Sequence, residues 1–265
     1  MTRARRSRAV RARAATFPSA TEDRDVPIDF YSPDTQRVIG PVVLLPQKGS
    51  VSGGSKRPLN AYAVLRPGRS ILFDAPLSWT LDGVRRLADE GHPPAALVLS
   101  HRDLAASGDA FEAFTETFDA PILLHREDRS SAKARDAGVA WQDVLEGDGA
   151  RALAEAGLEV IHVPGHTPGS IMLYLADEGG ILLAGDSAVG PGPAQSDRTP
   201  RLERPLGADE NAAFVDTWRR TVERLPLAAV LPLHGEAYTR AEHPEDFDRI
   251  VANVWNGAPM DPRRT

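Results

Sequence analysis

The chain has 265 residues, 42% of them hydrophobic, and a formal net charge of −6, which is typical of a soluble globular protein. It contains no stretch near the roughly 20 consecutive apolar residues that span a bilayer, which excludes an integral membrane protein. The absence of cysteine excludes disulfide scaffolds, thiolate-bound zinc, iron–sulfur clusters and cysteine nucleophiles. A bound metal would therefore need histidine and carboxylate ligands, and the chain has seven histidines.

The charge is concentrated at the amino terminus. The first 21 residues contain six arginines and no acid, so the rest of the chain carries −12. We interpret residues 1–35 as a basic, disordered tail, with a transit peptide or a nucleic-acid arm as alternatives, and 257–265 as a carboxyl-terminal tail. The acidic body indicates no nucleic-acid partner. We expect no membrane partner and a cytoplasmic location, and 28 arginines against 3 lysines suggest a bacterial source.

Between residues 36 and 256, β-rich runs alternate with amphipathic helical windows. This order predicts one domain with helices outside β-sheets. We predict strands at 38–45, 61–65, 70–73, 95–99, 121–124, 158–163, 170–175, 180–184 and 228–231. We predict helices at 81–87, 111–118, 214–225 (after the N-cap-like Asp209) and 247–254.

Metal-binding residue types follow four of the predicted strands directly. They are His101 and Asp103 after 95–99, His166 after 158–163, Asp186 after 180–184 and His234 after 228–231. A single histidine at a strand end is usually structural, but four such ends predict a shared coordination site on a rigid support. His125 and His162 are interpreted as structural. Residues 191–205 are either a substrate-lining lid, with Arg198, Arg201 and Arg204 available to an anionic substrate, or a plain connection.

The run PGHTPGS at 164–170, followed by LAGDS at 183–187, resembles the metallo-β-lactamase-fold superfamily, and the resemblance extends over about 36–256. The resemblance implies an α/β (α+β) fold, a four-layer αββα sandwich with a metal site at one edge of its two sheets. The first motif of that family is Thr/Ser-His-x-His-x-Asp-His, and the corresponding segment here is SHRDLAA at 100–106. His234, in LHGEAYT, is similar to the last ligand of glyoxalase II-like members.

The first motif departs from the family pattern. Asp103 stands where the family has its second histidine, and Ala105 and Ala106 stand where it has an aspartate and a third histidine. The resemblance therefore implies that ligands remain for one metal, while the second metal keeps only His234 and the bridging Asp186. We expect one divalent ion, zinc before iron or manganese, bound by His101, Asp103, His166, Asp186 and His234, or no metal at all in a degenerate member.

Three functions remain open. The first is hydrolysis, in which metal-bound hydroxide attacks an ester, thioester or amide of a small-molecule substrate, and Asp103 or Asp186 orients the water or accepts its proton. The second uses His101, His166 and Asp186 as a two-histidine, one-carboxylate Fe(II) site, similar to the persulfide dioxygenase branch. The third is a non-catalytic binding or scaffold protein. A homodimer is an open alternative to the monomer, and the substrate is not specified.

Overall fold

In the described part of the chain, two β-sheets pack face to face and helices cover their outer faces. The computed structural model describes residues 28–30, 32, 34–46, 59–75, 78–106, 108–190, 202 and 212–256. Both predicted tails lie wholly or largely outside these ranges. So do Asp209 and all of 191–205 except Leu202.

Within the described ranges, the first sheet has six strands in the order β1-β2-β3-β4-β5-β6. The first four pair antiparallel, whereas β4, β5 and β6 are parallel. Gly68 has a φ of +70° in the turn between β3 and β4, a conformation that glycine adopts without strain. The strands are β1 (Gln36–Ile39), β2 (Val42–Leu44), β3 (Tyr62–Arg66), β4 (Arg69–Phe73), β5 (Pro94–Val98) and β6 (Ile122–Leu123).

The second sheet has five strands within the described ranges, in the order β11-β10-β9-β8-β7. β9 and β10 run parallel, and the other neighbouring pairs are antiparallel. The strands are β7 (Leu158–His162), β8 (Ile171–Leu175), β9 (Ile181–Gly185), β10 (Ala229–Pro232) and β11 (Tyr238–Thr239).

Most of the helices are short, and none in the described ranges has the length and apolar character needed to cross a membrane. They are α1 (Leu81–Asp89), α2 (Gly108–Thr117), α3 (Arg126–Arg129), α4 (Ala132–Asp136), α5 (Gly147–Glu155), α6 (Ala212–Arg224) and α7 (Phe247–Ala252). Short 3-10 helices cover Arg102–Ala106, Asp177–Gly179 and Val254–Asn256.

The alternation of side chains along each strand produces the layers. On β2, Val42 and Leu44 face a central apolar cluster between the sheets, whereas Val43 faces a second cluster beneath α1 and α2. A third cluster, between the second sheet and α6 and α7, contains Phe214 and Trp218. These layers confirm the αββα sandwich.

The differences from the predicted elements are local. The predicted strand at 38–45 is two strands, because the chain turns at Gly40, where φ is +53°. The prediction also missed α3, α4, α5 and β11. These elements are too short to show a full period, or, like α5 with only Gly149 and Leu153 buried, have a narrow buried stripe.

Candidate metal centre

The two sheets meet at Ser100, two residues after the end of β5. The carbonyl oxygen of Ser100 accepts a hydrogen bond of 2.9 Å from the backbone N–H of Ile171, the first residue of β8. Gly185, at the end of β9, allows the contact, because a Cβ there would lie 2.4 Å from the Cβ of Ser100. His101 and Asp186, which follow these strand ends, are thereby brought together.

Among the described residues, His101, His166 and Asp186 form one group whose ligand atoms all lie within 4.8 Å of one another. Oδ2 of Asp186 is 3.6 Å from Nε2 of His101 and 3.7 Å from Nε2 of His166. These distances are too long for hydrogen bonds. Two ligands on a tetrahedral zinc ion, each about 2.1 Å from the metal, lie about 3.4 Å apart. The spacing therefore suits a shared cation.

The ring of His101 is held in one orientation and is uncharged at neutral pH. Its Nδ1 lies 2.9 Å from Oγ of Ser100, which leaves Nε2 facing the group. Burial lowers the pKa of His101 to about 4, although the nearby Asp186 carboxylate opposes this shift. A metal ligand must be a neutral imidazole, so this histidine is ready to bind.

Asp103 lies at the rim of the group. Its Oδ2 is 3.3 Å from Nε2 of His166, and its Oδ1 accepts a 2.7 Å hydrogen bond from Nζ of Lys133 on α4. Partial burial raises the pKa of Asp103, but the Lys133 ammonium and the nearby His101 more than offset this, so the pKa is lowered overall. The carboxylate is therefore ionised at neutral pH and adjoins the ligand cluster.

His234 lies on the opposite side of Asp186. Its Nε2 is 3.7 Å from Oδ1 of Asp186. The buried Asn60 holds this loop, because its side-chain amide donates to the carbonyls of Pro232 (3.0 Å) and Gly235 (2.6 Å). Among the described residues, Oδ1 of Asp186 and Nδ1 of both His166 and His234 have no hydrogen-bond partner.

The two alanines of the first motif have different surroundings. Ala105 is buried in the apolar cluster beneath the first sheet, together with Phe111 and Phe114. Ala106 is exposed. Neither side chain can coordinate a metal, so these two positions supply no ligand.

Sequence reasoning did not single out Asp74, Asp128 or Lys133. Asp74 follows β4 directly, the same strand-end pattern that marked the other candidates, and its Oδ1 accepts a 2.7 Å bond from the N–H of Ser100. Asp128 and Lys133 lie on the short helices α3 and α4 and carried no periodic signal. His125 and His162, interpreted as structural, stack on each other at 4.0 Å, outside the metal-binding group.

The family model for the metallo-β-lactamase superfamily matches residues 54–234. A curated relative, the "Probable metallo-hydrolase YqgX" of Bacillus subtilis, is 26% identical over 139 residues, which is 48% of this chain and 64% of that protein. The chain thus spans less than two thirds of this relative.

Solved structures show the same fold. The metallo-β-lactamase of Erythrobacter litoralis, solved with β-mercaptoethanol in its active site, has a TM-score of 0.59 and 16% identity, and the match covers 84% of this chain and 95% of that one. The mono-zinc form of FIM-1 from Pseudomonas aeruginosa has a TM-score of 0.53 and 16% identity, covering 84% and 94%. With the family match over most of the chain and the shared αββα architecture, this chain belongs to the metallo-β-lactamase superfamily.

Proposed function

We propose that the protein is a metal-dependent hydrolase with one divalent ion, zinc first, that acts on an ester, thioester or amide of a small molecule. The observation that carries this proposal is the group formed by His101, His166 and Asp186, which come from three separate strand ends and whose ligand atoms lie within 4.8 Å. The contacts that these three side chains make do not explain why they converge at one sheet edge.

The donor set fits a zinc ion. Two neutral imidazoles and one carboxylate are common ligands for catalytic zinc, which leaves a fourth position open. The unpartnered, buried Oδ1 of Asp186 is a second sign, because a buried carboxylate oxygen is costly unless it is paired or bound to a cation. When bound, the ion would lower the pKa of a coordinated water toward about 7 and polarise a carbonyl.

Asp103 is the residue that we assign to proton handling. Its pKa is lowered, so Oδ2 is ionised and can accept a hydrogen bond or a proton at the rim of the group. Lys133 binds the other carboxylate oxygen, Oδ1, which keeps Oδ2 directed towards His166. Asp186 is shared between His101, His166 and His234 and is assigned to metal binding rather than to proton transfer.

A single metal is supported by the alanines of the first motif. With Ala105 and Ala106, a second ion would have only Asp186 and His234 as protein ligands. A mono-zinc form exists for FIM-1, which has the same fold. The name of the YqgX relative, a probable metallo-hydrolase, agrees with the reaction class.

A mononuclear Fe(II) oxidoreductase is the second candidate, and one observation favours it. His101, His166 and Asp186 have the composition of the two-histidine, one-carboxylate triad of Fe(II) oxygenases. The proposals therefore share their ligands and differ in the metal and in the need for oxygen.

Elemental analysis of the purified protein after reconstitution with Zn²⁺ or, under anaerobic conditions, Fe²⁺ tests both candidates. We expect about one equivalent of zinc, lost in His166→Ala and kept in the control His92→Ala, whose ring is bound to the carbonyl of Arg66 away from the group. Two equivalents would contradict the mononuclear site. No bound metal would indicate the non-catalytic alternative, and iron with oxygen consumption on persulfides would favour the oxidoreductase.

A further inference from the structure

The carboxylate of Asp128, on α3, joins two separate loops. It is fully buried. Its Oδ2 accepts hydrogen bonds from the backbone N–H of Arg102 at 2.9 Å and from the hydroxyl of Thr167 at 2.6 Å. Its Oδ1 accepts a 3.1 Å bond from the backbone N–H of Gly169 and lies 3.7 Å from Nη1 of Arg102. One side chain thus binds the backbone of both loops.

The partners of Asp128 are sequence neighbours of the candidate ligands. Arg102 lies between His101 and Asp103, and Thr167 directly follows His166. The first loop leaves the first sheet after β5, whereas the second precedes β8 of the second sheet. Hydrogen bonds within either sheet therefore do not join the two loops, and besides Asp128 the bond from the N–H of Ile171 to the carbonyl of Ser100 links the adjoining strand ends.

The close approach of Asp128 depends on a glycine. A Cβ at Gly169 would lie 2.6 Å from Cγ and 2.9 Å from the backbone nitrogen of Asp128. Any side chain at position 169 would thus push α3 away from this loop. The glycine and the carboxylate together allow a contact that two ordinary side chains would not make.

The contacts of Asp128 are directed at backbone groups, and Asp128 is not in the metal-binding group. Without its carboxylate, the N–H groups of Arg102 and Gly169 would lose the partner that it provides, which is costly for each group that stays buried. The loops would relieve this cost by moving apart or by opening to water. Either movement changes the spacing between the ring nitrogens of His101 and His166.

We propose that Asp128 is a positioning residue that sets the spacing between His101 and His166 and so preorganises the site before metal binds. The expected effect of Asp128 on metal affinity rests on the proposed function, whereas the coupling of the two loops is a property of the metal-free protein. Partners that orient metal ligands typically change metal affinity by 10–100-fold when they are removed.

The test compares Asp128→Asn, Thr167→Val and the control Asp143→Asn in the full chain. Asparagine keeps one acceptor oxygen, but its amide N–H groups would face a backbone N–H. Thr167→Val removes the hydroxyl without changing charge, and with it the hydrogen bonds to Asp128 (2.6 Å) and to Oγ of Ser170 (2.9 Å). Thr167→Ser should restore both. Asp143 is a matched control, because it is also buried and binds α3 through Arg129 (2.9 Å) but has no contact with either ligand loop.

Hydrogen exchange of the metal-free proteins measures the coupling, and competition with a chelator measures zinc affinity. In Asp128→Asn we expect faster exchange in both 100–106 and 164–170 and 10–100-fold weaker zinc binding, with a changed visible spectrum of the Co²⁺ form. Thr167→Val should speed exchange in 164–170 and weaken zinc less. Asp143→Asn should lower thermal stability without either effect.

If both loops of Asp128→Asn exchanged hydrogen at the wild-type rate, this would overturn the proposed coupling of the loops. Faster exchange with unchanged zinc affinity would overturn preorganisation of the site, and so would an equal loss of affinity in Asp143→Asn. If the wild-type protein binds no metal, the proposed function fails, and the exchange data alone decide whether Asp128 couples the loops.

Discussion

The candidate site has two halves that are built differently. The first half, formed by His101, Asp103 and His166, has a polar support beside each ligand: Ser100, Lys133 and the loop bound by Asp128. The second half has one candidate ligand, His234, whose loop is held by Asn60, and Ala105 and Ala106 stand where the family resemblance implies two further ligands.

The two halves also differ in their packing. Ala105 belongs to an apolar cluster with Phe111 and Phe114, so a carboxylate returned to that position would enter the core. His234 keeps its loop and its position 3.7 Å from Asp186. The structure therefore predicts unequal responses to mutation in the two halves.

The largest expected effect comes from Ala105→Asp. This change places a carboxylate in the apolar cluster without a partner, and we expect it to lower the free energy of unfolding by about 3 kcal/mol or more. Ala106→Asp is the control, because its exposed side chain should change stability by no more than about 0.5 kcal/mol. Urea unfolding of both variants measures the difference. Equal stabilities would mean that the second half can readily accept its missing ligand.

The next effect distinguishes the ligands of the two halves. We expect His166→Ala to weaken zinc binding by about 100-fold or more, because it removes one of the three converging donors. His234→Ala should weaken zinc binding by less than about tenfold, since Nε2 of His234 adjoins only the second oxygen of Asp186. Chelator competition measures both constants. Equal losses would make His234 a full ligand and remove the asymmetry between the halves.

The third prediction concerns the pH dependence of stability and Asp74, which accepts a hydrogen bond from the N–H of Ser100 beside His101. Burial raises the pKa of Asp74 to about 8 in the folded protein, against 3.8 for an ordinary aspartate in the unfolded chain. The unfolded chain therefore releases this proton first as pH rises, so the associated stability is fully present below pH 3.8 and is lost as pH rises through about 8.

Asp74→Asn should flatten this dependence. Asparagine keeps the acceptor for the N–H of Ser100, and it tolerates the φ of +58° at this position. Between pH 5 and 8 we expect the wild type to lose roughly 3–4 kcal/mol relative to the variant. Urea unfolding at several pH values measures the slope, and parallel curves would contradict a raised pKa at Asp74.

The sequence predicted the candidate ligands better than the residues that hold them in place. His101, Asp103, His166, Asp186 and His234 stand at strand ends, where a change from apolar to polar residues is visible along the chain. The layers were also predictable, because alternation on strands such as β2 and stripes such as Phe111 and Phe114 depend on local periodicity.

The supports could not be predicted because their partners are distant in sequence. Asp128 binds Thr167 across 39 positions, and Lys133 binds Asp103 across 30. Each lies on a short helix whose sequence pattern does not predict a role for the acid or the lysine. Asp74 was the exception that local reasoning could have found, since it follows β4 as Asp186 follows β9.

The smallest expected effect is that of Lys133→Met on Asp103. The pair is partly exposed, so its loss should change stability by less than about 1 kcal/mol. The pKa of Asp103 should nevertheless rise, because burial alone raises it and the ammonium of Lys133 is the main group that opposes burial. Carboxyl-carbon NMR of the metal-free protein follows this titration directly, and Lys133→Arg, which keeps the charge, should leave the pKa of Asp103 near the wild-type value.

An unchanged pKa in Lys133→Met would show that Lys133 does not control the ionisation of Asp103. The first half would then lose one of the supports that distinguish it from the second.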